Sequence, residues 1–376
     1  MSRPFGYFVH HQGRGHAERC GAILNALPPE RSVRVFCARD DIFPTLPSQA
    51  EVVRIPSLFE AADDSSGALD AAPTPGTMHC APLGWGSIRT AMAEMTRWWA
   101  EADPALMVVD VSAEVAQVAR LCSVPVVKVL QHGDRSDPGH LTAYECSAGL
   151  IAPYDERLEQ PDRPDWMRAM TCHAGGLGAG GRRLPGREAA RRALAVPDGV
   201  EVCTVISGGG GSGAPLAPLT MAARAMPDTR FHVIGAVARE WHETVPGNLI
   251  LHGWTDLPDA FIAAADIFVA STGNTTCHDI LATGTPWVAI PEWRYFGEQM
   301  EKGRALSRAG VAHLCETWPA TPGAWREAFA AARTCDPAVA RSMIDPDAAA
   351  KVAGWLEGLA DRLWSADAGN YPIAAE

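Results

Sequence analysis

Two glycines, an arginine and a histidine lie together near the start of the chain, from Gly13 to His16. A strand-like run from Phe5 to His10 precedes them, and a helix-like run begins at Ala17. Gly13 and Gly15 allow a tight turn and a close approach of the backbone to a ligand. His16 would lie in the helix's first turn, where the dipole disfavours imidazolium and leaves a neutral base. Taken alone, these residues favour a packed or capping histidine over a catalytic one.

The neighbouring His10 and His11 do not predict a metal site. Adjacent strand residues point to opposite faces, so these two rings cannot both bind one metal ion together with His16. We expect one ring to face a ligand and the other to face the core. No cluster with zinc-site spacing appears along the chain, and the acid pair Asp345 and Asp347 fits a helix start better. The sequence therefore predicts no metal site.

A second glycine-rich loop joins a predicted strand, residues 201–207, to a predicted helix around 218–225. The loop consists of Ser207, Gly208, Gly209, Gly210, Gly211, Ser212 and Gly213. A dinucleotide site is disfavoured because the next strand ends at Gly235 without an acid for a ribose, and a P-loop is disfavoured because Ala214 and Pro215 replace its Lys and Ser/Thr. Backbone N–H groups in such a run can approach an anion, and we favour this over a turn made only for packing.

A similar strand-to-helix connection occurs further along the chain, from residue 271 to residue 276. Its candidate anion-binding residues are Gly273, Asn274, Thr275 and Thr276. Asp279 follows within the predicted helix and is either a ligand contact or an acid that interacts with the helix dipole. The pattern predicts a second anion site and leaves the role of Asp279 open.

These motifs are embedded in two series of alternating strands and helices, which predict parallel sheets covered on both faces. A Gly/Ala-rich stretch, residues 174–181, separates the series, and an irregular segment spans about 57–86. We predict an α/β fold of two doubly wound Rossmann-like domains facing a cleft. The domains are 1–180 and 181–344, and 345–376 forms a terminal helix and tail that braces them.

Composition narrows the class of partner. The chain has 376 residues and a formal net charge of −12, which disfavours nucleic acid and anionic lipid as partners. No apolar run is long enough to span a bilayer, and we interpret Trp98 and Trp99 as core residues rather than lipid contacts. Ten scattered cysteines without a C-x-x-C pair are typical of reduced thiols. We therefore expect a cytoplasmic protein.

The segment HGWTDLPDAFIAAADIFVASTGNTTCHDILATGTPWVAIPEWRYFGEQ, residues 252–299, resembles the nucleotide-binding half of GT-B glycosyltransferases. The nearest type makes lipid II from UDP-N-acetylglucosamine. Residues 207–213 match that family's glycine loop, and Gly13 to His16 resembles its N-terminal loop. The resemblance covers most of the chain, is strongest over about 201–310, and implies a nucleotide-sugar enzyme.

Site roles follow from this resemblance by position. Asp279 stands where the family usually has a glutamate that holds the ribose hydroxyls. Thr275 and Thr276 would face the diphosphate, and the loop of residues 207–213 would line the diphosphate or the sugar. Glu298 and Gln299 match a position that contacts the hydroxyls of the donor sugar. The resemblance also places His16 near the acceptor hydroxyl, which makes catalysis the favoured role for it.

Further candidates lie in the first half of the chain. Asp110 ends a predicted strand and either orients a catalytic group or caps a helix. His132 and Asp134 follow another strand end, and His79 lies in the long irregular segment. Together with His11, these residues are acceptor-side candidates.

The implied reaction is inverting, metal-independent transfer of a sugar from a nucleotide diphosphate donor, with UDP implied by the resemblance. The nucleotide sugar is a substrate, and no cofactor is expected. The acceptor would be a hydroxyl or amine of a small, soluble molecule such as a natural product. A nucleotide-sugar hydrolase is the chief alternative, because Gly13 to Arg19 also fits its Gly-x-Gly-His-x-x-Arg motif. A non-catalytic nucleotide-sugar binding protein is the third interpretation.

Overall fold

The computed structural model describes residues 2–60, 66–178, 184–207, 213–238 and 244–365. The chain divides into two units. The first unit comprises residues 1–153, 161–178 and 347–376, and the second comprises residues 154–160 and 179–346. The final helix therefore belongs to the first unit, although it follows the second unit in sequence.

The first unit is built on a parallel sheet of seven strands in the order β3-β2-β1-β4-β5-β6-β7. The strands are β1 (Phe5–Phe8), β2 (Val33–Cys37), β3 (Ala50–Arg54), β4 (Leu106–Asp110), β5 (Val126–Val129), β6 (Gly149–Ala152) and β7 (Thr171–His173). β1 pairs with β2 on one side and with β4 on the other. Every residue of β1, β4, β5 and β6 is buried, as expected for central parallel strands.

Helices cover both faces of this sheet. Those of the first unit are α1 (Arg14–Ala26), α2 (Gly67–Asp70), α3 (Gly86–Ala102), α4 (Ala113–Leu121), α5 (Pro138–Glu145), α6 (Asp165–Ala169) and α14 (Ala348–Trp364). One apolar core joins α1 and α14 to the sheet, and another joins α3 and α4 to it. Trp98 and Trp99 belong to the second of these cores and are only 7% and 4% exposed, which confirms their interpretation as core residues.

The second unit contains a parallel sheet of six strands in the order β12-β10-β8-β13-β14-β15, together with a short pair, β9 and β11. The strands are β8 (Glu201–Ile206), β9 (Ala214–Pro215), β10 (Thr229–Ile234), β11 (Val237–Ala238), β12 (Leu249–Gly253), β13 (Ile267–Ala270), β14 (Trp287–Ala289) and β15 (His313–Leu314). The helices are α7 (Arg187–Ala193), α8 (Leu216–Ala225), α9 (Pro258–Ala264), α10 (Asn274–Thr283), α11 (Glu298–Arg308), α12 (Pro322–Ala332) and α13 (Pro337–Ser342). Each unit is thus an α/β sheet of the predicted class.

The C-terminal helix α14 packs on α1 of the first unit. Its buried residues Val352, Leu356 and Leu359 form an apolar stripe along one face of the helix. Arg31 donates hydrogen bonds of 2.8 and 2.6 Å to the two carboxylate oxygens of Glu357. Among the described residues, no helix combines the length and the apolar character needed to cross a bilayer.

Candidate active site

In each sheet, the strand order reverses at one point, and the loops leaving the two strands there diverge to make a crevice at the carboxyl ends. In the first unit this switch point lies between β1 and β4, and in the second unit it lies between β8 and β13. The segment around His16 follows β1 and Asp110 ends β4. The glycine run follows β8, and the segment around Asn274 follows β13. The segment around His16, Asp110, the segment around Asn274 and the start of the glycine loop at Ser207 therefore lie at switch points.

Asp110 is the centre of the polar cluster in the first unit. It is fully buried, and its carboxylate accepts two 2.8 Å hydrogen bonds from the guanidinium of Arg19, which is itself 3% exposed. Such a two-point contact holds the carboxylate in a fixed orientation. Asp110 does not cap α4, because Ser112 does so by accepting a hydrogen bond from the N–H of Val115. Of the two roles that the sequence left open, the capping role is therefore wrong.

His16 is bound to the same cluster. Its Nδ1 atom lies 3.2 Å from Asp110 Oδ2 and 2.6 Å from Arg19 Nη2. If Nδ1 carries the hydrogen and donates it to Asp110, Nε2 is left as the basic nitrogen. If Nδ1 instead accepts from Arg19, which can only donate, the hydrogen must reside on Nε2. The competition between Asp110 and Arg19 for one ring nitrogen therefore decides whether His16 can act as a base.

The charges around this cluster affect its titration. Burial by itself would raise the pKa of Asp110, but the charges of Arg19 and His16 more than offset it, and the pKa lies well below its usual value. Burial, followed by the nearby His16, lowers the pKa of His10 to about 3. Asp110 is consequently ionised and His10 neutral at physiological pH.

The turn that positions His16 requires glycine at one place. Gly13 precedes α1 with a φ of 90°, a conformation that side chains other than glycine rarely adopt. Gly15, in contrast, lies inside α1, which begins at Arg14. The sequence correctly predicts His16 in the first turn of α1, but the prediction that Gly15 forms part of the tight turn is wrong.

His10 and His11 do not point to opposite faces as the sequence predicted. β1 ends at Phe8, so both residues lie in the loop beyond it, and their rings stack with centroids 5.5 Å apart and planes within 10°. His11 Nε2 lies 3.1 Å from Glu60 Oε1. His11 and Glu60 line a cavity of about 500 Å³ together with residues at and beyond the ends of β2 and β3, among them Arg39 and Arg54. His11 is thus on a ligand-sized cavity, as an acceptor-side residue would be.

The other acceptor-side candidates are held by local contacts. The main-chain oxygen of buried His132 accepts a hydrogen bond from Arg135. Asp134 Oδ1 accepts from both the N–H and the hydroxyl of Ser136, which makes it a turn-forming residue. His79 lies against α5, close to Asp137 and His140.

Lys128 is a buried cation that the sequence analysis missed. It lies on β5, is 1% exposed, and donates a 2.7 Å hydrogen bond to the main-chain oxygen of Val111. Val111 has a φ of 82°, which is unusual for a β-branched residue, so this bond stabilises the strained turn that follows Asp110. Burial lowers the pKa of Lys128 to about 8. A lysine within an otherwise apolar strand pattern is the sequence signal that could have identified Lys128 as a buried cation.

In the second unit, Gly208, Gly209, Gly210, Gly211 and Ser212 lie outside the described residues, so only the ends of the loop can be placed. Ser207 is buried and its N–H donates to the main-chain oxygen of Ile234. Gly235 has a φ of 94° and lies against the backbone of Ser207. A Cβ atom on Gly235 would be 2.1 Å from the main-chain oxygen of Ser207. Gly213 also has a positive φ, 93°.

The N-terminus of α10 has the features of an anion site. Gly273, which has no side chain to cap the helix, occupies the N-cap position, and Thr275 is exposed at the first turn. Unpaired N–H groups at a helix start and the helix dipole both favour an anion. Lys302, 3% exposed and missed by the sequence analysis, contacts Asn274 Oδ1 and adds a positive charge at this point. Thr276 lies on the same turn and Asp279 one turn further along.

Glu298 and Gln299 begin α11 and differ in their environments. Gln299 is 5% exposed, and its side-chain oxygen accepts hydrogen bonds from the N–H groups of Thr272 and Glu292, at 3.2 and 2.8 Å. It therefore ties together the loops after β13 and β14. Glu298 is partly exposed at the helix start.

Exposed aromatic rings are another feature that sequence reasoning missed. Trp254 follows β12 and is 72% exposed, while Trp293 and Tyr295 follow β14 and are 75% and 72% exposed. Flat rings beyond strand ends can stack on a planar group such as a nucleobase.

No family model matches the chain. Two curated relatives are UDP-N-acetylglucosamine–N-acetylmuramyl-(pentapeptide) pyrophosphoryl-undecaprenol N-acetylglucosamine transferases. That of Desulforudis audaxviator is 30% identical over 145 residues, which is 34% of this chain and 38% of the relative. That of Salinibacter ruber is 30% identical over 172 residues, 41% of this chain and 44% of the relative. The chain thus matches less than half the length of each.

Solved structures match over nearly the whole chain. The glycotransferase of kitacinnamycin has a TM-score of 0.64 at 17% identity and covers 96% of this chain and 99% of its own. MurG of Acinetobacter baumannii has a TM-score of 0.62 at 12% identity, with 95% and 100% covered. The calicheamicin glycosyltransferase CalG4 has a TM-score of 0.64 at 16% identity, with 97% and 100% covered. The fold is therefore that of the GT-B glycosyltransferases, and the resemblance to the lipid II-forming transferases is confirmed over the matched part of the chain.

Proposed function

We propose that the protein is an inverting, metal-independent glycosyltransferase that moves a sugar from a UDP-sugar to a hydroxyl or amine of a small acceptor. The observation that carries the proposal is the contact of His16 Nδ1 with the buried carboxylate of Asp110 at the switch point of the first unit. A carboxylate that accepts the Nδ1 hydrogen orients the ring and stabilises the imidazolium that forms when Nε2 takes a proton. The partial matches to UDP-N-acetylglucosamine transferases support the UDP-sugar donor.

In the proposed reaction, His16 Nε2 removes the proton of the acceptor hydroxyl as its oxygen attacks the anomeric carbon. The bond from that carbon to the diphosphate oxygen breaks on the opposite face, so the configuration inverts. The electron pair leaves with the nucleoside diphosphate, and the proton stays on the imidazole until solvent takes it.

The second unit is proposed to bind the nucleotide. The N-terminus of α10 and the ammonium of Lys302 stabilise the charge that develops on the leaving diphosphate. These groups supply the positive charge that a divalent cation gives in other transferases, which supports metal independence. Asp279 is proposed to bind the ribose, Glu298 the donor sugar, and Trp254 to stack on the base.

The acceptor is proposed to bind in the first unit. The cavity beside His11 is of a size for a small molecule and is bordered by Arg39 and Arg54. A small natural product fits this cavity, and the calicheamicin and kitacinnamycin transferases share the fold.

The test is a product assay with a panel of UDP-, TDP- and GDP-sugars and of small hydroxylated or aminated acceptors. We expect UDP release that depends on an acceptor, a glycosylated product by mass spectrometry, and an inverted anomeric proton coupling by NMR. Release of free sugar at the same rate without acceptor would instead identify a hydrolase. Nucleotide binding without turnover of any donor would identify a binding protein.

A further inference from the structure

Two histidines and an aspartate from distant parts of the first unit converge at the start of α5. Asp137 caps this helix, His140 lies in its first turn, and His79 comes from the segment between α2 and α3. One ligand atom from each residue lies within 4.8 Å of the others. His140 Nδ1 is 2.5 Å from Asp137 Oδ2, and His79 Nδ1 is 3.9 Å from Asp137 Oδ1. The two imidazole rings are 4.0 Å apart.

The backbone around His79 is shaped to make this approach. A Cβ atom at Gly139 would lie 2.3 Å from the main-chain nitrogen of His79, so only glycine lets the segment lie on the helix here. The oxygen of Gly139 accepts a hydrogen bond from Gln117, and the N–H of Cys80 donates a 2.6 Å bond to Glu114. Hydrogen bonds to α4 thus hold both the segment of His79 and the start of α5 in place, and such support preorganises the side chains of a binding site.

The donor set selects a class of metal. Two imidazole nitrogens and one carboxylate oxygen suit Zn²⁺ and similar transition-metal ions, whereas Mg²⁺ and Ca²⁺ prefer oxygen ligands. Asp137 is 38% exposed and His79 31% exposed, which leaves a path for an ion and room for a water ligand.

We propose that His79, Asp137 and His140 bind a divalent transition-metal ion, best matched by Zn²⁺, which fastens the segment of residues 71–85 to α5. All three residues belong to the first unit, whereas the residues proposed to bind the diphosphate belong to the second. The sequence did not reveal this site because His79 and Asp137 are 58 positions apart along the chain.

The first test uses the full chain, stripped with a chelator and then titrated with ZnCl₂ by calorimetry. We expect one equivalent of Zn²⁺ to bind with micromolar or tighter affinity and Mg²⁺ to give no heat. Asp137→Asn keeps a good N-cap residue but removes the ligand charge, and it should weaken Zn²⁺ binding at least about 10–100-fold. Asp134→Asn, the same change in an exposed residue of the preceding turn, should bind as the wild type does.

Co²⁺ substitution and hydrogen exchange complete the test. His79→Ala should lose the visible Co²⁺ absorption of a nitrogen-ligated site, and in the wild type Zn²⁺ should slow amide exchange in residues 71–85. No Zn²⁺ binding by the wild type, or equal binding by Asp137→Asn and His79→Ala, would overturn the site. Binding without slower exchange in that segment would overturn its fastening role. Neither readout depends on sugar transfer, so failure of the proposed function would leave this result unaffected.

Discussion

The substitution Asp110→Asn tests whether the negative charge of Asp110 stabilises the fold and allows His16 to act as a base. It preserves the shape of the side chain but removes the charge that faces Arg19 and His16. Both Asp110 and Arg19 are buried and joined by two 2.8 Å hydrogen bonds. Removing one charge of such a pair leaves the other uncompensated, and we expect a loss of about 3–5 kcal/mol in the free energy of unfolding.

The same substitution should disable His16 as a base. Without the carboxylate, Arg19 remains the partner of Nδ1 and favours the tautomer with hydrogen on Nε2. General-base catalysis contributes about 10²–10⁴-fold, so kcat should fall by that factor. The factor corresponds to about 2.7–5.4 kcal/mol in the activation barrier. Nucleotide affinity, which we assign to the second unit, should not change.

The difference in unfolding free energy between the wild type and Asp110→Asn should also depend on pH, and it should decrease in acid. The pKa of Asp110 in the folded protein lies below its usual value. The unfolded carboxyl titrates near about 3.9, so the stabilisation is complete above that pH and is lost as the pH falls toward the folded pKa. The difference in unfolding free energy between wild type and Asp110→Asn should therefore shrink from about pH 4 downward.

Urea denaturation followed by circular dichroism, and UDP release at saturating substrates, measure the two effects. Asp103→Asn is the matched control, because Asp103 pairs with Arg3 at the surface and is 68% exposed. Such pairs contribute about 0–1 kcal/mol, so this variant should behave like the wild type. If Asp110→Asn were as stable and as active as Asp103→Asn, the proposed role of Asp110 would be refuted.

Three further substitutions test other parts of the structure. His16→Ala should lower kcat by about 10²–10⁴-fold while calorimetric affinity for UDP stays unchanged; an equal collapse of binding would make His16 a donor ligand. Lys302→Met should weaken UDP binding by about 1.5–3 kcal/mol, because it removes a buried positive charge from the start of α10. Arg304→Met, a change at an exposed residue of the same helix, should leave UDP affinity unchanged. Equal UDP affinities of the two variants would show that Lys302 is not part of the anion site. Gly235→Ala should destabilise the fold by about 1–3 kcal/mol because of its positive φ and close neighbour, while Gly247→Ala, which has open space, should not; matching urea midpoints would contradict the geometry.

Local sequence patterns were sufficient to predict most of the central strands of each sheet. Apolar runs such as residues 106–109 predicted buried parallel strands, because a strand covered on both faces has no polar face to alternate with. Gly13, the glycine loop and Gly273 marked the strand-to-helix connections, and His16 was correctly placed in a helical first turn. These features depend on neighbours within a few residues, which is the range over which backbone preferences and periodicity act.

Tertiary structure alone decided which side chains meet. Arg19 and Asp110 are 91 residues apart, and only the adjacency of β1 and β4 brings them together. Sequence could not show that β1 ends at Phe8, which stacks His10 on His11, because the end of a strand depends on pairing with its neighbours. The contact of Lys302 with Asn274 at the start of α10 could not be predicted either. Strand order depends on the packing of the whole sheet, and no local sequence pattern indicates it.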